Sequence, residues 1–160
     1  FYLASSFIDE DFILFNGDTI AHKDILEKLL NSHYKTAFVI DNVKKLGQEE
    51  MKVLIKHGNR IIRFSKEIDP KIAQGEYIGY AKFDLEDAVL IFDCINKLLR
   101  EGKTGIWYEY AINYVLDEID AFAVYTDGLP WIEIDTPEDY RKAIKMQKRL
   151  FNEENRPGHQ

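Results

Sequence analysis

The fold of this chain is decided by the stretch Asp11-Phe12-Ile13-Leu14-Phe15-Asn16-Gly17-Asp18-Thr19. Its four consecutive apolar residues predict a short strand buried on both faces, as in the centre of a parallel sheet. Open α/β sheets bind ligands just beyond the carboxyl ends of their strands, which is where Asp18 stands. Asp18 is therefore predicted either to bind a divalent cation, which prefers carboxylate oxygens, or to cap the helix that follows.

A second stretch near the other end has the same organisation: Trp131-Ile132-Glu133-Ile134-Asp135-Thr136-Pro137-Glu138-Asp139. Its apolar residues predict a strand, and Thr136-Pro137 fits the N-cap and first position of a helix. Asp135 thus follows a strand, as Asp18 does, and we expect the two carboxylates to converge on one metal ion. Glu133 alternates with Asp135 and shares its face. We interpret Glu133 as lining the substrate site, as a metal ligand, or as an inward charge nearby.

Together the two stretches resemble the sugar-phosphate and alcohol-phosphate nucleotidyltransferases. The segments 62–66, 75–83 and 107–109 are most similar to the phosphocholine and phosphonate cytidylyltransferase branch, and the resemblance covers roughly residues 1–145. It implies an α/β fold with a mostly parallel, mixed Rossmann-like sheet of the nucleotide-diphospho-sugar transferase (glycosyltransferase-A-like) type. It also implies a Mg²⁺ ion bound by the residues that match the family's aspartates, Asp18 and Asp135.

The resemblance further implies a reaction. The phosphate or phosphonate of a small acceptor attacks the α-phosphorus of a nucleoside triphosphate, CTP in this branch, and pyrophosphate leaves. Such transfers depend on positioning and charge neutralisation, so we assign Asp18, Asp135 and Lys66 to catalysis. Phosphocholine and 2-aminoethylphosphonate are the leading acceptors. The alternatives are a sugar-1-phosphate acceptor, or an inactive fragment that acts as an interaction module.

Two further segments carry candidate site residues. Lys66 follows a predicted β-hairpin over 51–64, and it either reaches a phosphate or is a solvated lysine at a strand end. Trp107, Tyr108 and Glu109 combine aromatic faces, which attract ammonium groups, with a carboxylate. In the related phosphocholine enzymes an aromatic and acidic stretch at this location lines the acceptor pocket. Here these three residues are interpreted either as selecting a cationic head group or as core packing.

Hydrophobic periodicity predicts the remaining elements. We expect residues 1–8 to end a helix. Further helices are predicted over 22–32, 84–100, 110–116 and 137–150, and strands over 36–40, 76–83 and 122–125. Asp84 is the predicted N-cap of the helix that it opens. Gly79 lies inside a strand, where a glycine marks a bulge or the close approach of a ligand.

Composition restricts the partners. The formal charge of −7 argues against a nucleic-acid partner, which would favour a basic face. The single cysteine, Cys94, cannot form an intrachain disulfide, so a cytoplasmic location is expected. No stretch approaches the roughly 20 apolar residues of a membrane span, so no membrane insertion is expected. We assign residues 1–150 to the C-terminal part of a single nucleotidyltransferase domain and residues 151–160 to a polar tail.

The family's glycine-rich nucleotide loop is missing from this sequence, which has no Gly-x-Gly followed by Arg or Lys. We therefore expect the C-terminal part of a longer protein, with about one third of the usual fold absent. Alone, the chain should bind nucleotide no tighter than about millimolar and show no cytidylyltransferase activity. We also expect an apolar sheet edge that pairs with another chain, as in a homodimer.

Overall fold

The structure, a computed structural model, describes residues 1–154, with side chains described as far as residue 148. A 3-10 helix, Tyr2–Phe7, comes first, and a second short one, His57–Asn59, lies between two strands. The strands are β1 (Phe12–Phe15), β2 (Thr19–Ala21), β3 (Thr36–Asp41), β4 (Lys52–Ile55), β5 (Ile61–Ser65), β6 (Gly75–Phe83), β7 (Ala121–Tyr125) and β8 (Trp131–Glu133). The α-helices are α1 (Lys23–Asn31), α2 (Leu85–Arg100), α3 (Tyr108–Val115) and α4 (Pro137–Glu154).

The long strand β6 is the centre of a six-stranded sheet, in which five strands follow the order β5-β4-β6-β3-β7 and the sixth, β1, also pairs with β6. One edge of β6 pairs with β3, and its other edge pairs first with β4 and then with β1. The α/β class and the mixed, Rossmann-like sheet are confirmed. The expected predominance of parallel pairs is wrong for residues 1–154, where only β3 and β7 pair in parallel. The reason is that β6 runs opposite to all three of its neighbours.

Two apolar clusters cover the faces of this sheet. Phe38 and Ile40 of β3 enter the larger cluster, which α2 and α3 cover. Ala37 and Val39 enter the smaller one, which α1 covers, so every residue of β3 is buried. The strand over residues 12–15 is only partly buried, so the prediction of full burial is wrong. Among the described strands it has a partner on one side only, β6, which leaves it less enclosed than β3.

Most elements that rest on local signals are confirmed. β4 and β5 form the predicted hairpin, with Val53 opposite Phe64. Asp84 caps α2 by accepting a hydrogen bond from the backbone N–H of Glu86 at 3.0 Å. The N-terminal segment is a 3-10 helix and not the end of an α-helix, and α3 begins two residues earlier than predicted.

The C-terminal helix is longer than its sequence pattern predicted. α4 continues to Glu154, so the first residues of the predicted 151–160 tail are helical. The rest of that predicted tail, 155–160, lies outside the described residues. In the described part of the chain, no helix combines the length and the apolar character that crossing a membrane requires.

Candidate active site

A two-stranded ribbon, formed by β2 and β8 outside the main sheet, carries the predicted metal ligands. In this antiparallel pair Thr19 lies opposite Glu133. The backbone N–H of Ile134 donates to the carbonyl oxygen of Asp18 at 2.9 Å, which places Asp18 beside Asp135. The structure thus brings the two aspartates together, although not at the edge of a parallel sheet as expected. The N-cap of α1 is His22, so the alternative role of Asp18 as a helix cap is wrong.

Three carboxylates cluster at the end of this ribbon. One ligand oxygen from each of Asp18, Glu133 and Asp135 lies within 4.8 Å of the others, and all three residues are exposed. Desolvation by neighbouring protein atoms raises the pKa of Glu133 although its surface is largely exposed, and the charges of Asp135 and Asp18 raise it further. A cation would relieve this repulsion, and a set of carboxylate oxygens open to water suits Mg²⁺. These residues therefore fit the metal that the resemblance implies.

The start of α4 holds Asp135 in place through a reciprocal cap. The Thr136 hydroxyl accepts from the backbone N–H of Asp139 at 3.2 Å and donates to Asp139 Oδ2 at 2.6 Å. The Asp139 carboxylate also accepts from the backbone N–H of Thr136 at 3.2 Å. These bonds confirm Thr136 as the predicted N-cap, and the capping box that they form fixes the residue that follows Asp135.

The turn that carries Asp18 is built against β6. The backbone N–H of Asn16 donates to the carbonyl oxygen of Gly79 at 2.9 Å. Gly79 has φ +84°, and a Cβ added to it would lie 2.4 Å from Asn16 Nδ2. The sequence predicted a bulge or the close approach of a ligand at Gly79. The β3–β6 register shifts around this glycine, which confirms an irregularity there, and the group that approaches it closely is the Asn16 side chain. The Tyr108 hydroxyl lies 2.8 Å from that of Tyr77 and 3.5 Å from Asn16 Oδ1, so α3 also contacts this turn.

The three residues predicted to select the acceptor point in different directions. Trp107 is 65% exposed, whereas Tyr108 faces Tyr77 inside the fold and Glu109 is 5% exposed. The Lys66 ammonium lies 5.2 Å from the centroid of the Trp107 ring. Lys66, Trp107 and Glu109 line one cavity of about 340 Å³. The structure therefore brings these three together and leaves Tyr108 as core packing.

Glu109 is the group with the most perturbed acidity in this cavity. Burial raises its pKa to about 7, although its backbone N–H, the Tyr108 hydroxyl and the Lys66 ammonium all oppose the shift. Its Oε2 atom is buried and has no hydrogen-bond partner among the described residues. Lys66 also lowers the pKa of Glu133, so one ammonium acts on both the cavity and the carboxylate cluster.

A second cleft, of about 560 Å³, borders the carboxylate cluster and contains groups that the sequence did not reveal. At its wall, the Lys44 ammonium lies 2.9 Å from Glu76 Oε2 and 5.3 Å from the centroid of the Trp131 ring. The Trp131 indole donates to Asp41. Burial opposes ionisation of Asp41, but this bond and two backbone N–H groups outweigh it and lower the pKa. Asp41 is the last residue of β3, whereas Lys44 and Glu76 follow no recognisable sequence pattern.

This chain is similar to known proteins in both sequence and fold. No protein-family profile matches the chain. A curated relative, the bifunctional IPC transferase and DIPP synthase of Thermococcus kodakarensis, is 23% identical over 148 residues, which are 92% of this chain and 32% of that protein.

Two solved structures share the fold. The inositol-1-phosphate CTP transferase from T. maritima superposes with a TM-score of 0.67 and 17% identity, over 93% of this chain and 60% of that one. The CTP:phosphocholine cytidylyltransferase from Streptococcus pneumoniae gives 0.70 and 16%, over 91% and 61%. The nucleotidyltransferase fold that the resemblance implies is thereby confirmed. This chain spans about a third of the curated relative and about three fifths of the two structures.

Proposed function

We propose that this chain, which has the fold of the nucleotidyltransferases, belongs to an enzyme that transfers a cytidylyl group from CTP to a small phosphate or phosphonate, with release of pyrophosphate. The observation that carries this proposal is the carboxylate cluster of Asp18, Glu133 and Asp135 at the end of the β2–β8 ribbon. The choice of CTP is supported by two structural neighbours whose names include it.

Asp18 and Asp135 are the residues that would hold Mg²⁺, with Glu133 beside them. When bound, the ion would neutralise phosphate charge and orient the reacting oxygens. Lys66 is exposed and acts electrostatically on both Glu133 and Glu109. We assign it to the acceptor phosphate, whose charge it would hold between the carboxylate cluster and the cavity. An ammonium is a strong donor to phosphate oxygens.

Phosphocholine and 2-aminoethylphosphonate remain the leading acceptors, since Trp107 and Glu109 line one cavity and suit a cationic head group. An inositol phosphate is a second candidate, because the T. maritima neighbour is an inositol-1-phosphate CTP transferase. A sugar-1-phosphate would need hydrogen-bonding side chains in place of aromatic ones near Trp107. A cytoplasmic location and a homodimer remain predictions.

The metal site can be tested directly with Mn²⁺ as a paramagnetic probe for Mg²⁺. We expect Asp18→Asn and Asp135→Asn each to weaken Mn²⁺ binding, followed by electron paramagnetic resonance, at least tenfold. Asp93→Asn, a matched change at an exposed position of α2, should leave binding unchanged. Equal affinities in all four proteins would rule out this site.

The reaction is tested by pyrophosphate release from CTP or UTP in the full-length protein. The acceptors are phosphocholine, 2-aminoethylphosphonate, an inositol phosphate and a hexose-1-phosphate. Asp18→Asn or Asp135→Asn should lower turnover by roughly two orders of magnitude or more while circular dichroism stays unchanged. Absence of turnover with every acceptor would favour the interaction-module alternative.

A further inference from the structure

We infer that the cavity of Lys66, Trp107 and Glu109 selects acceptors whose cationic group carries N–H donors, a primary ammonium in preference to a quaternary one. This inference rests on the proposed function, because it names the acceptor class of that same site. It goes further by separating the two leading acceptors, which differ in this respect. Phosphocholine carries three methyl groups on its nitrogen, whereas 2-aminoethylphosphonate carries three N–H bonds.

Arg63 and Glu67 also line the cavity but are exposed to water, whereas the Asn113 amide is already used. Asn113, on α3, accepts from the backbone N–H of Phe64 at 2.8 Å and donates to the Phe64 carbonyl oxygen at 2.8 Å. Its amide thus satisfies the backbone of β5 at Phe64, and these two groups are not available to a ligand. Met51 and Phe64 supply apolar surface. Among the described residues, Glu109 Oε2 is therefore the buried side-chain oxygen of this cavity that has no hydrogen-bond partner.

Glu109 is 95% buried, since only 5% of its surface is exposed, and it lines the cavity. A buried carboxylate oxygen without a donor is costly, and natural proteins rarely leave one unsatisfied. A primary ammonium would donate an N–H to this oxygen and neutralise its charge. A quaternary ammonium presents only methyl groups, so Oε2 would gain no hydrogen bond from it.

The aromatic wall supports the same choice. Quaternary ammonium ions are recognised mainly by aromatic faces. Here the described partner of the Trp107 face is the Lys66 ammonium, at 5.2 Å from the ring centroid. The second aromatic of the segment, Tyr108, faces Tyr77 and is not among the residues that line the cavity. One ring that already holds a cation makes a poor cage for a quaternary ion, whereas a primary ammonium on Glu109 needs no ring.

The ionisation of Glu109 supplies an independent readout. The titratable groups that act on it are the Lys66 ammonium beyond β5, the Tyr108 hydroxyl on its own helix and Tyr77 on β6. Two exposed charged groups, Arg63 and Glu67, line the same cavity. With its pKa raised to about 7, Glu109 loses its charge as the pH falls below 7. An ammonium that pairs with Glu109 should therefore bind less tightly at pH 6 than at pH 8.

The test is a methylation series in the full-length protein: ethanolamine phosphate and its N-methyl, N,N-dimethyl and N,N,N-trimethyl forms. We expect kcat/KM to fall at least tenfold from the primary to the trimethylated acceptor, with the KM for CTP constant. A site built around a hydrogen-bond donor rejects analogues that lack it. A trimethylated acceptor used equally well, or better, would overturn the inference without any variant.

Glu109→Gln removes the charge at nearly constant shape, and Glu118→Gln is the matched exposed control. In Glu109→Gln, the kcat/KM values for the primary and the trimethylated acceptor should differ by no more than about twofold, and acceptor binding should no longer depend on pH. Glu118→Gln should keep both the selectivity and the pH dependence. An unchanged ratio in Glu109→Gln would overturn the inference. Calorimetric titration with the primary and the trimethylated acceptor separates the selectivity from the reaction. Absence of turnover would refute the proposed function, whereas the two dissociation constants would still decide the selectivity.

Discussion

Replacing Gly79 with alanine tests whether the turn that carries Asp18 depends on its fit against β6. The φ angle of +84° alone costs an L-residue about 1–2 kcal/mol. The new Cβ would lie 2.4, 2.5 and 2.7 Å from three atoms of the Asn16 side chain, so Asn16 must move. Overpacking of this kind adds about 1–3 kcal/mol. We expect a total loss near 3 kcal/mol, which for a chain of this size lowers Tm by about 6–12 °C.

Two other glycines separate these contributions. Gly102 has a similar φ of +81° but no atom within 4 Å of an added Cβ, and Gly105 has neither constraint. In urea unfolding followed by circular dichroism, Gly102→Ala should show the backbone cost alone, and Gly105→Ala close to none. Gly79→Ala should also weaken Mn²⁺ binding, because Asn16 lies two residues before Asp18. If Gly79→Ala and Gly102→Ala are equally destabilised, the proposed contact with Asn16 is refuted.

Three further predictions concern buried or capping charges. Lys52 is fully buried and donates to the carbonyl oxygens of Gly47, Gln48 and Glu50. Lys52→Met should therefore lower the free energy of unfolding, measured in urea, by roughly 3 kcal/mol, and an unchanged midpoint would contradict this. The raised pKa of Glu109 means that the folded state binds the extra proton, so stability should fall as pH rises from about 4 to 7; Glu109→Gln should remove roughly 3 kcal/mol of this dependence in melting curves. Asp84→Ala should cost about 1 kcal/mol through loss of the α2 cap. The Lys35 hydrogen bond lowers the pKa of Asp84, so this cost should shrink as melting is measured at decreasing pH through the acid range, and a constant difference would count against it.

The elements that the sequence predicts well are those with local signals. The β4–β5 hairpin follows from two apolar runs around Gly58, and α2 follows from a periodic face behind a capping Asp84. β2 was missed because its three residues, Thr19–Ala21, are too few to show a period. Its strand character comes from pairing with β8, more than a hundred residues away, which no local pattern encodes.

The candidate site shows the same division. Asp18 and Asp135 stand in specific motifs, and they converge in the structure. They do so at the end of the β2–β8 ribbon and not, as predicted, at the edge of a parallel sheet. Trp107, Tyr108 and Glu109 were treated as one surface because they are adjacent in sequence. They lie at the start of α3, where consecutive side chains point about 100° apart, so each meets a different environment. The burial of Glu109 depends on the residues of β5, which its own segment does not reveal.

The β2–β8 ribbon has a consequence for how the molecule opens. It is three residues long in each strand, and Ala21 and Trp131 pack on the α1 side. Two side-chain hydrogen bonds also join it to the main sheet: the Tyr80 hydroxyl donates to the Thr19 carbonyl oxygen, and the Trp131 indole donates to Asp41. An isolated pair of this length is marginal in water, so we expect it to open at a free energy below that of global unfolding. In native-state hydrogen exchange, the amides of β2 and β8 should therefore exchange well before those of β3. Each such opening would scatter the three carboxylates while the six-stranded sheet persists, so metal affinity would fade at temperatures where the fold still looks intact.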